Sequence, residues 1–250
     1  MASTAATTPS SRDQRLDQAR DALRRATRTA EERGQRRTGT PLPSADLLPV
    51  AAAFGSVLPG LRRGATIAVP GSTALLLSLL AAASTRGSWC ALIGMAELGL
   101  VAAAEAGVNL DRVALVPNPG EELVAVTAAL IEGMDIIAIA GTGRLRAGDR
   151  QRLSARAHQH GTVLLPTGGW AGADLELRLD PGAGGGWRGV SNDGHGRLRA
   201  REIQLRVGGR GAARHARKAR LLLPGPTGAV SALERTTQPC AEVRRSARAG

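Results

Sequence analysis

Aromatic residues are almost absent from this 250-residue sequence. Phe54 and three tryptophans make up 2 % of it, and there is no tyrosine. A core must therefore be built from Leu, Val, Ile and Ala, which the 43 % apolar content supplies. Cysteine is nearly as scarce. Cys90 and Cys240 alone exclude a disulfide framework and suit a reducing, cytoplasmic compartment. Cys90 falls in an apolar run and reads as a small core residue. No apolar run reaches about 18 residues without polar or glycine interruption, so no membrane span is expected. The opening "MASTAATTPSSRDQRLDQAR" turns polar and charged too soon for a secretory h-region. No Cys–His cluster has zinc spacing, and no G-x-S-x-G nucleophile elbow occurs. His158 and His160 are two apart on an expected helix, which points them to different faces. Lysine occurs once, at Lys218.

What the sequence does have is arginine, and its distribution matters more than the net charge of +12. Residues 1–41 hold nine arginines and five acids; residues 42–205 hold fourteen of each. Residues 206–250 hold nine arginines, Lys218 and two acids. The middle is neutral and the excess lies in the extensions, mostly the C-terminal one. That pattern reads as a folded body with a basic arm suited to nucleic acid.

Three regions follow. Residues 1–41 form an extension with one polar helix over Arg12–Gly34, whose thin apolar stripe is Leu16, Ala19, Leu23, Ala26 and Ala30. Leu16 and Leu23 are its candidate partner contacts. Residues 42–207 form the core. Ser44 is expected to cap a short helix through Ala53, and "GSVLPGLRRG" to be a loop. Strands "ATIAV", "SWCALIG", "RVALV", "DIIAIAG" and "TVLLP" then alternate with helices over 73–85, 96–106, 120–132 and 148–160. Strands this apolar, separated by helices, signal an α/β fold with a mostly parallel sheet covered on both faces. "ADLELRLD" and "GRLRAREIQLRV" alternate apolar and polar and read as a C-terminal antiparallel pair. From residue 208 to 250 periodicity fades, which reads as a basic, disordered tail with "LLLPGP" as a docking segment.

The lead-in "GLRRG", the strand and turn "ATIAVPG", the unit "STRGSWCALIG", the unit "AAEAGVNLDRVALVPNPGEE", the strand "EGMDIIAIAG" and the closing antiparallel pair occur in the order found in RecA-like ATPases. Residues 55–207 resemble that core. Within it they look closest to the actinobacterial ImuA-type group, RecA-related proteins of the mutagenic DNA-damage response. The resemblance implies an SOS-type role beside a Y-family-like polymerase homologue and a mutagenic polymerase, with no membrane involvement.

The catalytic parts are missing. A phosphate loop needs G-x-x-x-x-G-K-[ST], with backbone N–H groups around the phosphates, a lysine on the β/γ charge and a hydroxyl on Mg²⁺. This chain has Val69-Pro70-Gly71-Ser72-Thr73-Ala74, in which Pro70 removes a donor and no lysine follows. Gly71, Ser72 and Thr73 are the remnant, and an ordinary Ser/Thr helix cap explains them. The Walker B strand should end in an Mg²⁺-organising aspartate. "DIIAIAG" ends in Ala140-Gly141, with Asp135 at its other end. Glu97 is expected to open the helix after the second strand. Helix-end dipoles, at roughly 0.3–1 kcal/mol each, do not replace a lysine and a metal. No cofactor and no ATP hydrolysis are expected.

The chain thus reads as a non-catalytic, cytoplasmic accessory protein of error-prone DNA repair, a pseudo-ATPase acting through protein and DNA contacts. Candidate contacts are Arg62 and Arg63 before the first strand and Arg210, Arg214, Arg217, Lys218 and Arg220 in the tail. Two alternatives stand beside it: an ATPase or recombinase with an atypical phosphate loop, and a binding module like the cell-division inhibitors built on this fold. "GTGRLR" at Gly141–Arg146 reads as a turn, and Trp170 and Trp187 as caps on the core.

Overall fold

The computed structural model describes residues 46–180, 186–190, 196–209 and 216–233. The expected N-terminal helix with Leu16 and Leu23, and Arg210, Arg214 and Cys240, lie outside the described residues.

The chain enters through β1 (Leu47–Leu48) and β2 (Leu61–Arg62), an antiparallel pair. Then β3 (Ile67–Ala68), α1 (Thr73–Thr85), β4 (Cys90–Ile93), α2 (Leu100–Glu105), β5 (Val113–Val116), α3 (Leu123–Ile131), β6 (Ile136–Ile139), α4 (Ala147–His160) and β7 (Val163–Pro166) alternate. Four of these strands form a parallel sheet in the order β5-β4-β6-β7. β3 extends it: the Thr66↔Leu164 bridge is parallel, and the Val69 N–H donates to the Pro166 carbonyl at 2.8 Å.

Both faces of that sheet are covered, and alternation along each strand divides the core in two. Cys90, Leu92, Ile136, Ala138, Val163 and Leu165 pack with α1 and with Ala103 of α2. Ala91, Ile93, Ile137, Ile139 and Leu164 pack with Leu130 and Ile131 of α3 and Leu153 and Ala157 of α4. A strand apolar on both faces cannot show a two-residue hydrophobic alternation, which is why these read as continuous apolar runs. Helix α1 buries every residue from Leu75 to Leu80. A helix apolar all round belongs inside. Its other wall is the second sheet.

That second sheet consists of β8 (Leu175–Leu179), β10 (Gly196–Gly209), β11 (Arg217–Leu222) and β12 (Ser231–Ala232), with β9 (Trp187–Val190) on the far half of β10. β8 pairs parallel with β3 and antiparallel with β10, so the two sheets join through β3. The expected antiparallel pair is present, with Leu205 opposite Leu179.

Three expectations are corrected. Residues 46–54 do not form a helix from Ser44 to Ala53. They form β1 and a 3-10 turn at Ala52–Phe54, because Pro49 lacks an N–H and Leu48 pairs with Leu61 instead. "GSVLPGLRRG" accordingly contains a strand. The helix expected at 96–106 starts only at Leu100, after Gly99, which leaves Glu97 in a turn and not at a helix start. The tail does not begin at 208. Arg217–Leu222 forms a strand of the second sheet between β10 and β12, with Leu221 opposite Ile203. Leu221 and Leu223 of "LLLPGP" are buried in the core and unavailable for docking.

Candidate functional site

RecA-like ATPases hold their phosphates where the parallel strands end and α1 begins. In this chain Gly71 turns at φ 77°, and the Ser72 side chain accepts the Leu75 N–H at 3.1 Å. Ser72 is thus used as a helix cap. Thr73 is exposed beside it.

The same edge of the sheet contains a cavity of about 490 Å³. Its walls are Thr73 and Leu77 from α1, the segment Gly94–Gly99 after β4, Ala102 of α2, Ala140 after β6 and Thr167 after β7. Glu97 is the only charged residue among them. A triphosphate would meet a carboxylate, two hydroxyls and apolar side chains. Such a surface repels the polyanion and offers it no cation. Met95 and Leu98, which make the cavity apolar, were not singled out by sequence. The signal for them was weak: an apolar run "MAELGLV" broken by glycine. Leu100 and Val101, just beyond on α2, are 45 % and 73 % exposed.

Two sequence features have structural roles. Asp135, at the start of β6, accepts from Arg63 Nη1 and from the Trp89 N–H, each at 2.9 Å. Arg63, a candidate contact, is therefore engaged with the body of the fold; its neighbour Arg62 is exposed on β2. Cys90 is fully buried, and burial, with the Asp135 charge adding, pushes its thiol up to about 12. A thiol so protected is not a nucleophile at neutral pH. His158 and His160 are exposed. Among the described residues no cluster of three or more metal-ligating side chains occurs.

The C-terminal candidates separate. Lys218 lies 3.6 Å from Asp180, and Arg220 pairs with Glu202, while Arg217 is exposed. Glu202 also accepts from Arg188 at 3.0 Å. That bond, with the Arg220 charge adding, holds its carboxyl below the ordinary value although burial opposes it. Gly141–Arg146 is a turn, with a 3-10 segment at Thr142–Arg144. Trp170 is buried and donates to Ser154 Oγ at 3.0 Å, a core cap as expected. Trp187 is not a cap: it is 45 % exposed on β9.

Residues 56–172 match the family model described as the MT3502 N-terminal domain. The uncharacterized protein Rv3395c of Mycobacterium tuberculosis is 35 % identical over 208 residues, covering 80 % of this chain and 96 % of that protein. Among solved structures, the crystal structure of the RadB recombinase superposes with a TM-score of 0.56 at 14 % identity, over 75 % of this chain and all of that one. At that identity the likeness shows the fold, which is RecA-like. No described helix is long and apolar enough to cross a membrane.

Proposed function

This chain belongs to the family of Rv3395c, and we propose that it is a non-catalytic RecA-like accessory protein of error-prone DNA repair. The observation that supports the loss of catalysis is the cavity at the edge of the sheet where α1 begins, beside the Gly71–Thr73 turn. It is walled by Leu77, Met95, Leu98, Ala102 and Ala140, with Glu97 its single charge. Ser72 stands at the place of the motif's lysine and is used to cap α1.

An apolar cavity beside exposed Leu100 and Val101 suits protein contact better than nucleotide. The ImuA-type resemblance of residues 55–207 supplies the pathway. In that reading the chain works within an assembly containing a Y-family-like polymerase homologue and a mutagenic polymerase, in the cytoplasm. It contributes surfaces and no chemical step.

Deleting the gene and scoring mutants after DNA damage tests the pathway. Damage-induced mutation is expected to fall several-fold while spontaneous mutation stays level. Complementation by a Thr73→Ala variant should restore it, because no nucleotide chemistry depends on that exposed hydroxyl. An unchanged induced frequency in the deletion strain would reject the repair assignment.

A further inference from the structure

The second sheet carries many basic residues, and most of them are ion-paired in place. Arg178 pairs with Glu176 at 2.7 Å, Arg206 and Lys218 with Asp180 at 3.3 and 3.6 Å, and Arg188 and Arg220 with Glu202. Five cations share three carboxylates there, so each of these side chains is already engaged within the face.

The far half of β10 is different. Beyond Arg201 it pairs, among the described residues, only with β9, as a two-stranded arm: Arg201 lies opposite Trp187 and Ala200 opposite Arg188, with a register shift between Gly196 and Ala200. Leu198 and Trp187 are 58 % and 45 % exposed, two of the few large apolar side chains presented to solvent among the described residues. Arg199 and Arg201 are exposed and form no ion pair among the described residues. The Arg201 guanidinium instead lies 5.9 Å from the centre of the Trp187 ring. An indole face flanked by a guanidinium, beside a second uncompensated arginine, combines a stacking surface with two phosphate-seeking charges.

We propose that this arm is a single-stranded DNA site, in which a base stacks on Trp187 and Arg199 and Arg201 hold the adjoining phosphates. Stacking on the indole tolerates any base, because every base has a π face. Charge complementarity selects a polyanion, and the aromatic plane beside the arginines selects nucleic acid over an acidic peptide. The choice of DNA over RNA rests on the repair reading; the stacking itself does not.

The full chain and its variants are titrated into labelled oligo(dT), oligo(rU) and a duplex of equal length, at two salt concentrations. Trp187→Ala is expected to weaken oligo(dT) binding roughly tenfold. Arg199→Glu with Arg201→Glu should weaken it further and reduce the salt slope by about 1.4, at roughly 0.7 for each phosphate no longer neutralised. Arg178→Glu, on the salt-bridged face, should change affinity less than about twofold, and removal of residues 234–250 should leave the Trp187 effect intact. Wild-type affinity in both arm variants would overturn the site. So would binding abolished by removing 234–250 but insensitive to Trp187. Tighter binding of oligo(rU) or of the duplex would overturn the assignment to single-stranded DNA. None of these readouts involves ATP or mutation frequency, so they fail independently of the proposed function.

Discussion

Asp135→Ala lowers the stability of this protein by about 2–3 kcal/mol, the loss expected when a backbone donor and a guanidinium are both deprived of a charged acceptor. The carboxylate joins three segments. It accepts from the Trp89 N–H just before β4 and from Arg63 just after β2. The Asp135 carbonyl accepts the Val163 N–H at 2.9 Å at the start of β7. Alanine keeps that last bond and gives up the first two. Loss of the carboxylate's part-buried bond from the Trp89 N–H is the larger part of that cost. The Arg63 pair contributes less, because both side chains are about a quarter exposed and water screens them. Asp135→Asn retains an acceptor for Trp89 and should cost about 1 kcal/mol. Denaturant unfolding separates the two: the midpoint falls in the order Asp, Asn, Ala with an unchanged slope. An alanine variant as stable as the wild type would remove Asp135 as the anchor of the sheet's leading edge.

Gly228→Val has a comparable effect for a different reason. Gly228 sits at φ 91°, and a Cβ there would lie 2.6 Å from the Glu105 carbonyl oxygen at the end of α2. The left-handed backbone costs a side-chain-bearing residue roughly 1–2 kcal/mol before the collision is counted. The obstacle is backbone, so no rotamer change relieves it. The turn involved is closed by the Gly225 N–H on Ala229 and the Gly228 N–H on Gly225, each at 3.0 Å, and leads into β12. A loss of about 2–3 kcal/mol is expected, with Gly228→Ala somewhat milder. Gly208→Ala is the control, because its Cβ would meet nothing within 4 Å. Were residues past 207 an unfolded tail, Gly228→Val would be silent.

The contrast between those two regions shows what the sequence makes legible. The parallel strands and α1 stand out because they are buried on all sides, and burial leaves a local mark: "CALI", "IIAI" and "LLLSLL" have almost no polar position. The bounds expected for α1, 73–85, match the helix because Ser72 and the glycine at 87 punctuate it. β11 left no such mark. Only Ala219, Leu221 and Leu223 face the core, and the intervening Arg217, Lys218 and Arg220 made the segment look like charge awaiting a ligand. Two of those three cations are paired with Asp180 and Glu202, acids far away in sequence. β1 and β2 are two residues each and exist only because each has the other. Long-range pairing of that kind, like the Arg63–Asp135 ion pair across 72 residues, has no local signature.

The candidate site divides the same way. The loss of lysine and of a terminal aspartate on β6 is a matter of which residues are present, so it was readable. The apolar cavity that occupies the same edge is a matter of which side chains meet, and Met95, Leu98 and Ala102 meet Leu77 and Ala140 only in the fold. The arm was not legible: Trp187 read as a core cap and Arg199 and Arg201 carried no signal, and the fold alone shows that the indole lies outside the core.

The central claim is that a RecA-like scaffold has given up nucleotide for contact surfaces. Calorimetric titration of the full chain with ATP and Mg²⁺, repeated with single-stranded DNA present, tests it most directly. No saturable heat up to millimolar ATP and no phosphate release in either condition is the predicted result. A micromolar dissociation constant, or turnover that DNA stimulates, would contradict it.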